Sequence, residues 1–303
     1  MMRLSLMLKG VIIGVAAIIP GVSGSVFAVI TGVYDDLILA ISNVRKSTKK
    51  SVGFLLPVLL GALIGVLLAA NPVLEVCHRF PLYSYCFFVG VMVAGLPTPI
   101  LKIVALGRVK TTQVLALVVC FLLVVVLRII ATFSGAGSLV SIPSISGFDD
   151  VLAMFLCGLI SVGVMALPGV SGSVTLMVLG FYGTIYKAAG SPARLIKAII
   201  EKDMNSAMAA VDGTFLLIPF LIGGALGFFV VSKLISKFII TNPKLVYMSV
   251  IGFVLGSCLT LVFDGVLPAA NAFSGGSFLM WLLIFAFTLS GGLLTLAFQA
   301  NKS

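Results

Sequence analysis

The chain has 303 residues, 61% of them hydrophobic and only 9% charged, with a mean hydropathy of +1.29. That composition excludes a water-soluble globular domain, and several apolar runs near the ~20 residues that span a bilayer predict an all-α polytopic membrane protein. The formal charge of +10 does not point to nucleic acid, because the cations fall in short loops between apolar runs, where they set topology and meet anionic lipid headgroups.

In chain order, apolar arms at 4–19 and 22–41 flank Pro20-Gly21-Val22-Ser23-Gly24-Ser25-Val26. The first run leads into this motif and not into a small-residue cleavage site, so a signal peptide is not expected. Arg45, Lys46, Lys49 and Lys50 follow and are expected on the cytoplasmic side. Spans are predicted at about 52–70, 82–103 and 111–133, with Lys102, Arg108 and Lys110 between the last two. Residues 134–150 are rich in Ser, Gly and Pro, and read as a linker. Further arms at 151–167 and 170–189 flank Pro168-Gly169-Val170-Ser171-Gly172-Ser173-Val174, and spans follow near 215–235, 245–263 and 278–298. The five cysteines show no metal-type spacing and read as buried thiols, although Cys77 and Cys86 flank one predicted loop. His78 sits in that loop with Glu75 and Arg79 and reads as surface.

The seven motif residues recur without a change, and Gly10, Gly32 and Tyr34 align with Gly158, Gly180 and Tyr182 at the same offset. Beyond an insertion at 191–211, Pro57, Gly61, Gly65 and Gly90 align with Pro219, Gly223, Gly227 and Gly252. The chain is therefore one membrane domain, 1–303, with a first repeat at 1–133, the linker at 134–150 and a second repeat at 151–303. Each repeat carries a Pro/Gly-broken, re-entrant-type helical hairpin followed by three transmembrane helices. A hairpin returns the chain to its starting side and three spans move it across, so the two repeats have inverted topology. Most loop cations then share one side with both termini. The insertion dissents: Arg194, Lys197 and Lys202, with Glu201 and Asp203, would lie outside, as an amphipathic surface helix.

Backbone freed by Pro and Gly at membrane depth survives only inside protein or beside a wet cavity. Ser23 and Ser171 stand where each second arm would begin, as N-caps. A helix N-terminus with glycine beside it admits an anion close to the backbone, and serine hydroxyls add donors. Candidate phosphate ligands are Gly21, Ser23, Gly24 and Ser25 from the first copy, with Gly169, Ser171, Gly172 and Ser173 from the second. The competing reading is that these small residues serve only close helix packing. Arg128, in an otherwise apolar span, either completes the site or snorkels to the interface. Asp35 and Asp36 are candidates for a coupling proton or sodium ion; the plainer reading is a pair of solvated carboxylates. No cofactor or metal is predicted.

The paired Pro-Gly-Val-Ser-Gly-Ser motifs, each followed by Gly-x-Tyr (Gly32 and Tyr34; Gly180 and Tyr182), with Phe54 and Pro57 after the first, resemble the bacterial polyprenyl-phosphate transporter family. The resemblance covers nearly the whole chain. It implies a flippase that returns undecaprenyl phosphate from the outer to the cytoplasmic leaflet of the bacterial inner membrane for peptidoglycan and other envelope polymers. Members often carry Gly-Gly-Thr where this chain has Gly24-Ser25-Val26, a departure that keeps a hydroxyl at Ser25. An enzymatic alternative is an undecaprenyl-pyrophosphate phosphatase, whose similar Pro-Gly-x-Ser-Arg-Ser motif has an arginine where this chain has Gly24 and Gly172. The N-terminal arms also lack a glutamate for proton transfer. A transporter of another anion and a non-transport scaffold are the remaining alternatives.

Overall fold

The computed structural model describes residues 2–18, 23–133, 142, 144–201, 203–272 and 277–300. Among them the ordered elements are helices. The first half holds α1 (Met2–Ile18), α2 (Gly24–Ile30), α3 (Tyr34–Ser42), α4 (Thr48–Arg79), α5 (Pro81–Gly95), α6 (Pro97–Ala105) and α7 (Thr111–Phe133). The second holds α8 (Phe148–Val164), α9 (Gly172–Val178), α10 (Tyr182–Ala189), α11 (Ser191–Glu201), α12 (Met204–Thr241), α13 (Pro243–Leu261), a π segment (Val262–Val266), α14 (Leu267–Asn271) and α15 (Ser277–Ala300). Six helical stretches of the described residues are long and apolar enough to cross a membrane, seven if the bent pair α2/α3 counts as one. They fall where the hydropathy pattern places three spans in each half, and Thr111–Phe133 keeps its predicted bounds.

Each second arm departs from expectation. Instead of one helix over 22–41, the chain forms α2 and α3, bent by 115°. The cause is local. Gly32 takes φ 66° and closes α2 with two bonds, Gly32 N–H to Val29 O (2.9 Å) and Val33 N–H to Ala28 O (3.0 Å), a Schellman cap that only a residue free to enter the left-handed region completes without strain. Gly180 repeats it at φ 79°, with Gly180 N–H to Met177 O (3.0 Å) and Phe181 N–H to Leu176 O (2.9 Å). The 82–103 span is likewise interrupted: α5 ends at Gly95 and α6 starts with Pro97, which fits a first helical turn because its missing N–H has no helical partner there. The predicted loop around His78 is helical instead, since α4 continues to Arg79 and carries an exposed i,i+4 ion pair between Glu75 and Arg79. The side chain of His78, and residues 134–141 of the linker, lie outside the described residues. All five cysteines are free; Cys77, Cys86, Cys157 and Cys258 are buried, as the reading of plain thiols requires.

The chain divides into two compact units. One comprises residues 1–126, 167–170 and 232–303. Within it α1 lies on α4 through glycines: a Cβ on Gly10 would collide with Val58 O, and one on Gly61 with Met7 O. The helices α5 and α15 pack the same way, Gly90 against the Thr288 carbonyl and Gly291 against that of Phe87, while Gly252 of α13 meets the Leu117 carbonyl of α7. The pairing is an exchange. The penultimate span of each half, α5 or α13, receives the last span of the other half, α15 or α7. The second unit, residues 127–166 and 171–231, repeats the α1/α4 contact in α8 and α12, where Gly158 faces Phe220 O and Gly223 faces Phe155 O. Its core gathers Met154, Cys157, Ile185, Leu216 and Phe220. At the start of α8 the Ser146 N–H and O–H both donate to Asp150, which holds that carboxyl below its ordinary pKa.

Two stability predictions follow from this packing. Gly90→Ala is expected to cost about 1–3 kcal/mol, since the atoms its Cβ would strike belong to the Thr288 backbone, which cannot step aside. Gly53→Ala, in an α4 turn with open space around its Cβ, is expected to be neutral or to gain up to about 1 kcal/mol. Thermal unfolding midpoints in detergent distinguish the two. In the same assay Ser232→Ala is expected to raise the midpoint by about 1 kcal/mol of stability, because Ser232 is fully buried and its Oγ has no hydrogen-bond partner among the described residues.

Candidate functional site

Both motif serines take the N-cap backbone conformation: Ser23 has φ −97° and ψ 128°, Ser171 has φ −88° and ψ 131°. The side chains do not make the expected cap bond to their helices. In each copy the hydroxyl turns instead to the serine two residues on, Ser23 Oγ to Ser25 Oγ at 2.7 Å and Ser171 Oγ to Ser173 Oγ at 2.8 Å. Ser25 also donates to the Leu167 carbonyl (3.0 Å), and Ser23 Oγ lies 3.4 Å from the Val170 carbonyl. The first motif's hydroxyls therefore rest on backbone at 167–170, the entry to the second motif, which belongs to the same unit.

Hydrogen counting shows what this arrangement offers. If Ser25 spends its one proton on Leu167 O, then Ser23 is the donor to Ser25, and Ser23 keeps lone pairs only. A further acceptor at Ser23 would need that proton, which would have to leave Ser25. In the second copy one contact uses one of two protons, so the Ser171–Ser173 pair has a further donor to offer. Ser23 is buried, Ser25 and Ser171 are half-buried and Ser173 is exposed, so the pairs range from interior to surface.

The motif glycines divide by role. Gly169 is structural: it sits at φ 85°, a Cβ there would come 2.6 Å from Phe253 O, and its carbonyl accepts from Ser257 Oγ at 2.8 Å. Here the packing alternative holds. Gly24 is not constrained that way, since a Cβ would make only ordinary contacts of 3.4 Å to Ile13 O and 3.5 Å to Ala17 Cβ. A Cβ on Gly172 would meet the flexible end of Met165 at 2.5 Å. No backbone atom therefore forbids a side chain at these two positions, in contrast to Gly169. Gly21 lies outside the described residues.

Arg128 is half-buried on α7, five residues before its end, and its carbonyl accepts from Thr132. It stays a candidate on charge and depth. The structure separates the two aspartates. Both lie in the first turn of α3, where the helix dipole favours a carboxylate, but Asp36 is exposed while Asp35 is tied down. Asp35 Oδ2 accepts from Lys102 Nζ (2.5 Å) and from the Tyr247 hydroxyl (2.8 Å), and Lys102 Nζ lies 4.8 Å from the Tyr247 ring centre. Gly32, Tyr34, Thr98 and Pro99 close a cavity of about 20 Å³ around this cluster, room for one water-sized group. The sequence offers no reason to pick out Tyr247, and none to assign Lys102 to a site. Lys102 looks there like a loop cation, and only its place on the nine-residue helix α6 beside α13 shows its partners.

An all-helical chain with six long apolar stretches and two copies of a hydroxyl-lined helix break is a multi-pass membrane protein. Its residues 13–267 match the model of the undecaprenyl phosphate translocase-like family, and the chain belongs to that family. Among curated proteins it is similar to a polyprenyl-phosphate transporter of Staphylococcus aureus, 28% identical over 293 residues that cover 95% of each chain. It is also similar to a polyprenyl-phosphate transporter of Vibrio cholerae, 28% identical over 61% of this chain and 60% of that one. No solved structure matches it.

Proposed function

We propose that this protein is a translocase for undecaprenyl phosphate, the C55 lipid carrier, which it returns from the outer to the cytoplasmic leaflet of a bacterial inner membrane for peptidoglycan and other envelope polymers. The observation that carries the reading is the hydroxyl pair found at the helix break of both motifs, in a chain whose relatives are named polyprenyl-phosphate transporters. A phosphate crossing a bilayer needs donors to replace its water, whereas an isoprenoid tail needs none. In this reading Ser23, Ser25, Ser171 and Ser173 supply the donors, Gly21, Gly24 and Gly172 admit the phosphate to the backbone, Gly169 holds the break open and Arg128 adds charge.

The translocation we infer is alternating access by two inverted-topology repeats, with both termini cytoplasmic. It is supported by the recurrence of the α1/α4 glycine contacts in α8/α12 and by the exchange of last spans between the halves. Moving an anion inward against an inside-negative potential costs about 2.3 kcal/mol per charge per 100 mV, so a proton or sodium ion is assigned to travel with it. Asp35 is the residue we assign to that coupling. A hydrolase is disfavoured because Gly24 and Gly172 stand where a phosphatase of similar motif has arginine, and because the relatives carry a transporter's name.

The test is reconstitution of the full chain in liposomes with labelled undecaprenyl phosphate, followed by leaflet exchange and by phosphate release from the pyrophosphate. Exchange without release is expected. Phosphate release in place of exchange would replace the translocase by an enzyme.

A further inference from the structure

An apolar groove of about 770 Å³ lies in the first unit, and neither the motifs nor the Asp35 cluster uses it. Its walls come from four helices, with Val15 on α1, Pro72 on α4, Tyr83 and Phe87 on α5 and Phe287 on α15, and with Phe80 at the α4/α5 junction. We propose that this groove binds the phosphate-proximal isoprene units of the polyprenyl chain, which makes it a tail site alongside the phosphate site; the proposal rests on the translocase reading above.

Capacity fits. A cavity of roughly 150 Å³ takes one benzene ring, so on that scale 770 Å³ holds about five isoprene units. The lining fits an isoprenoid better than an acyl chain. Tyr83 and Phe287 stack at 4.8 Å with 25° between their planes, and Phe80 lies 5.9 Å from Tyr83 at 31°. Interlocked rings make a stiff wall of flat faces. A polyprenyl chain has a planar, methyl-bearing alkene in every unit to lay on such a wall, while a saturated segment has none and loses more rotamer freedom on binding. The groove also has a mouth, since Val76 and Phe80 at its rim are 52% and 50% exposed.

Position fits as well. Gly24 of the first motif abuts α1 at Ile13 and Ala17, and Val15 lies between those two along the helix, on its other side. The groove wall thus stands at the height of the motif and one helix thickness away, ~10 Å. From a phosphate at Ser23 and Ser25 the tail reaches it by passing around α1, a path of a few isoprene units.

The experiment uses the full chain in phosphatidylethanolamine–phosphatidylglycerol liposomes and a geranylgeranyl phosphate analogue that carries a benzophenone on its tail. Photolabelling is expected in peptides from 72–88 and 280–290, competed by undecaprenyl phosphate and not by excess phosphatidylglycerol. Equal competition by phosphatidylglycerol would make the groove an ordinary lipid crevice and overturn the proposal, as would labelling confined to other helices. If uncharged undecaprenol competes as well as the phosphate does, the tail site stands and the phosphate reading falls. Two variants add independent readouts. Ser290→Phe, which puts a ring into the groove, is expected to weaken undecaprenyl phosphate binding roughly tenfold and leave one-unit isopentenyl phosphate unchanged. Phe287→Leu keeps the bulk and removes a ring face, so preference for polyprenyl over saturated phytanyl phosphate should fall about fivefold. An unchanged preference in a folded Phe287→Leu protein would overturn the aromatic basis of the site.

Discussion

Alanine at both Ser23 and Ser171 is expected to slow leaflet exchange of undecaprenyl phosphate by about a hundredfold or more, since a hydrogen bond to a charged group is worth about 1.5–3 kcal/mol and two are removed. The fold should persist. Each change deletes a single oxygen; Ser25 still donates to Leu167 O, and Ser173 is exposed, so water can replace its lost contact. Thermal midpoints within a few degrees of the parent would document that. The single variants carry more information than the double. Ser23 is buried and the two protons of its pair already serve the Ser23–Ser25 contact and the Leu167 and Val170 carbonyls, whereas the Ser171–Ser173 pair keeps one proton uncommitted. Ser171→Ala should therefore weaken binding directly, while Ser23→Ala also takes from Ser25 its hydroxyl neighbour. Exchange at the parental rate in the double variant would remove the motif hydroxyls from the mechanism and leave these residues as helix-packing elements.

Asp35→Asn is expected to uncouple the protein: downhill exchange continues, and accumulation of undecaprenyl phosphate driven by a proton or sodium gradient is lost. The prediction follows from where Asp35 sits. Its carboxylate joins α3, the helix that follows the first motif, to Lys102 of α6 and Tyr247 of α13, so neutralising it frees an arm of the motif from two other helices. The stability cost should be modest, about 1 kcal/mol, because Lys102 is 44% and Asp35 21% exposed at the side chain and water screens the pair. Asp36→Asn serves as the control, since that carboxylate is exposed one residue away. Lys102→Met combined with Asp35→Asn separates the two roles of the aspartate. A purely structural Asp35 is rescued when its counter-charge is removed with it, and a coupling Asp35 is not. Gradient-driven accumulation at the parental level in Asp35→Asn would return Asp35 to the status of a surface-linked salt bridge.

Much of the candidate site was legible before any fold was known. Seven repeated residues with Pro, Gly and Ser between apolar arms marked the place, because backbone polarity inside a membrane has to be accounted for. The use made of those serines was not legible. Position at an N-cap follows from local sequence, but the direction of a hydroxyl depends on which acceptor lies nearest, and Leu167 and Val170 are far away along the chain. Gly24 and Gly169 look alike in sequence. Only the atoms around them distinguish a glycine that packing demands from one that it merely tolerates. Lys102 was read as a topology cation for the same reason, since nothing within its own helix announces Asp35 or Tyr247.

By itself, the sequence determined the membrane class, the six long apolar stretches and the internal repeat, because each of these is a property of composition and spacing along the chain. A run of ~20 apolar residues has to be helical in lipid whatever its neighbours are. The tertiary structure decided the rest. It set the 115° turn after α2, the exchange of last spans between α5/α15 and α13/α7, and the aromatic groove. These depend on which backbone atoms come within van der Waals contact, and helices in a bilayer choose partners by shape, through small residues such as Gly90 and Gly252, with no difference in hydrophobicity to guide them.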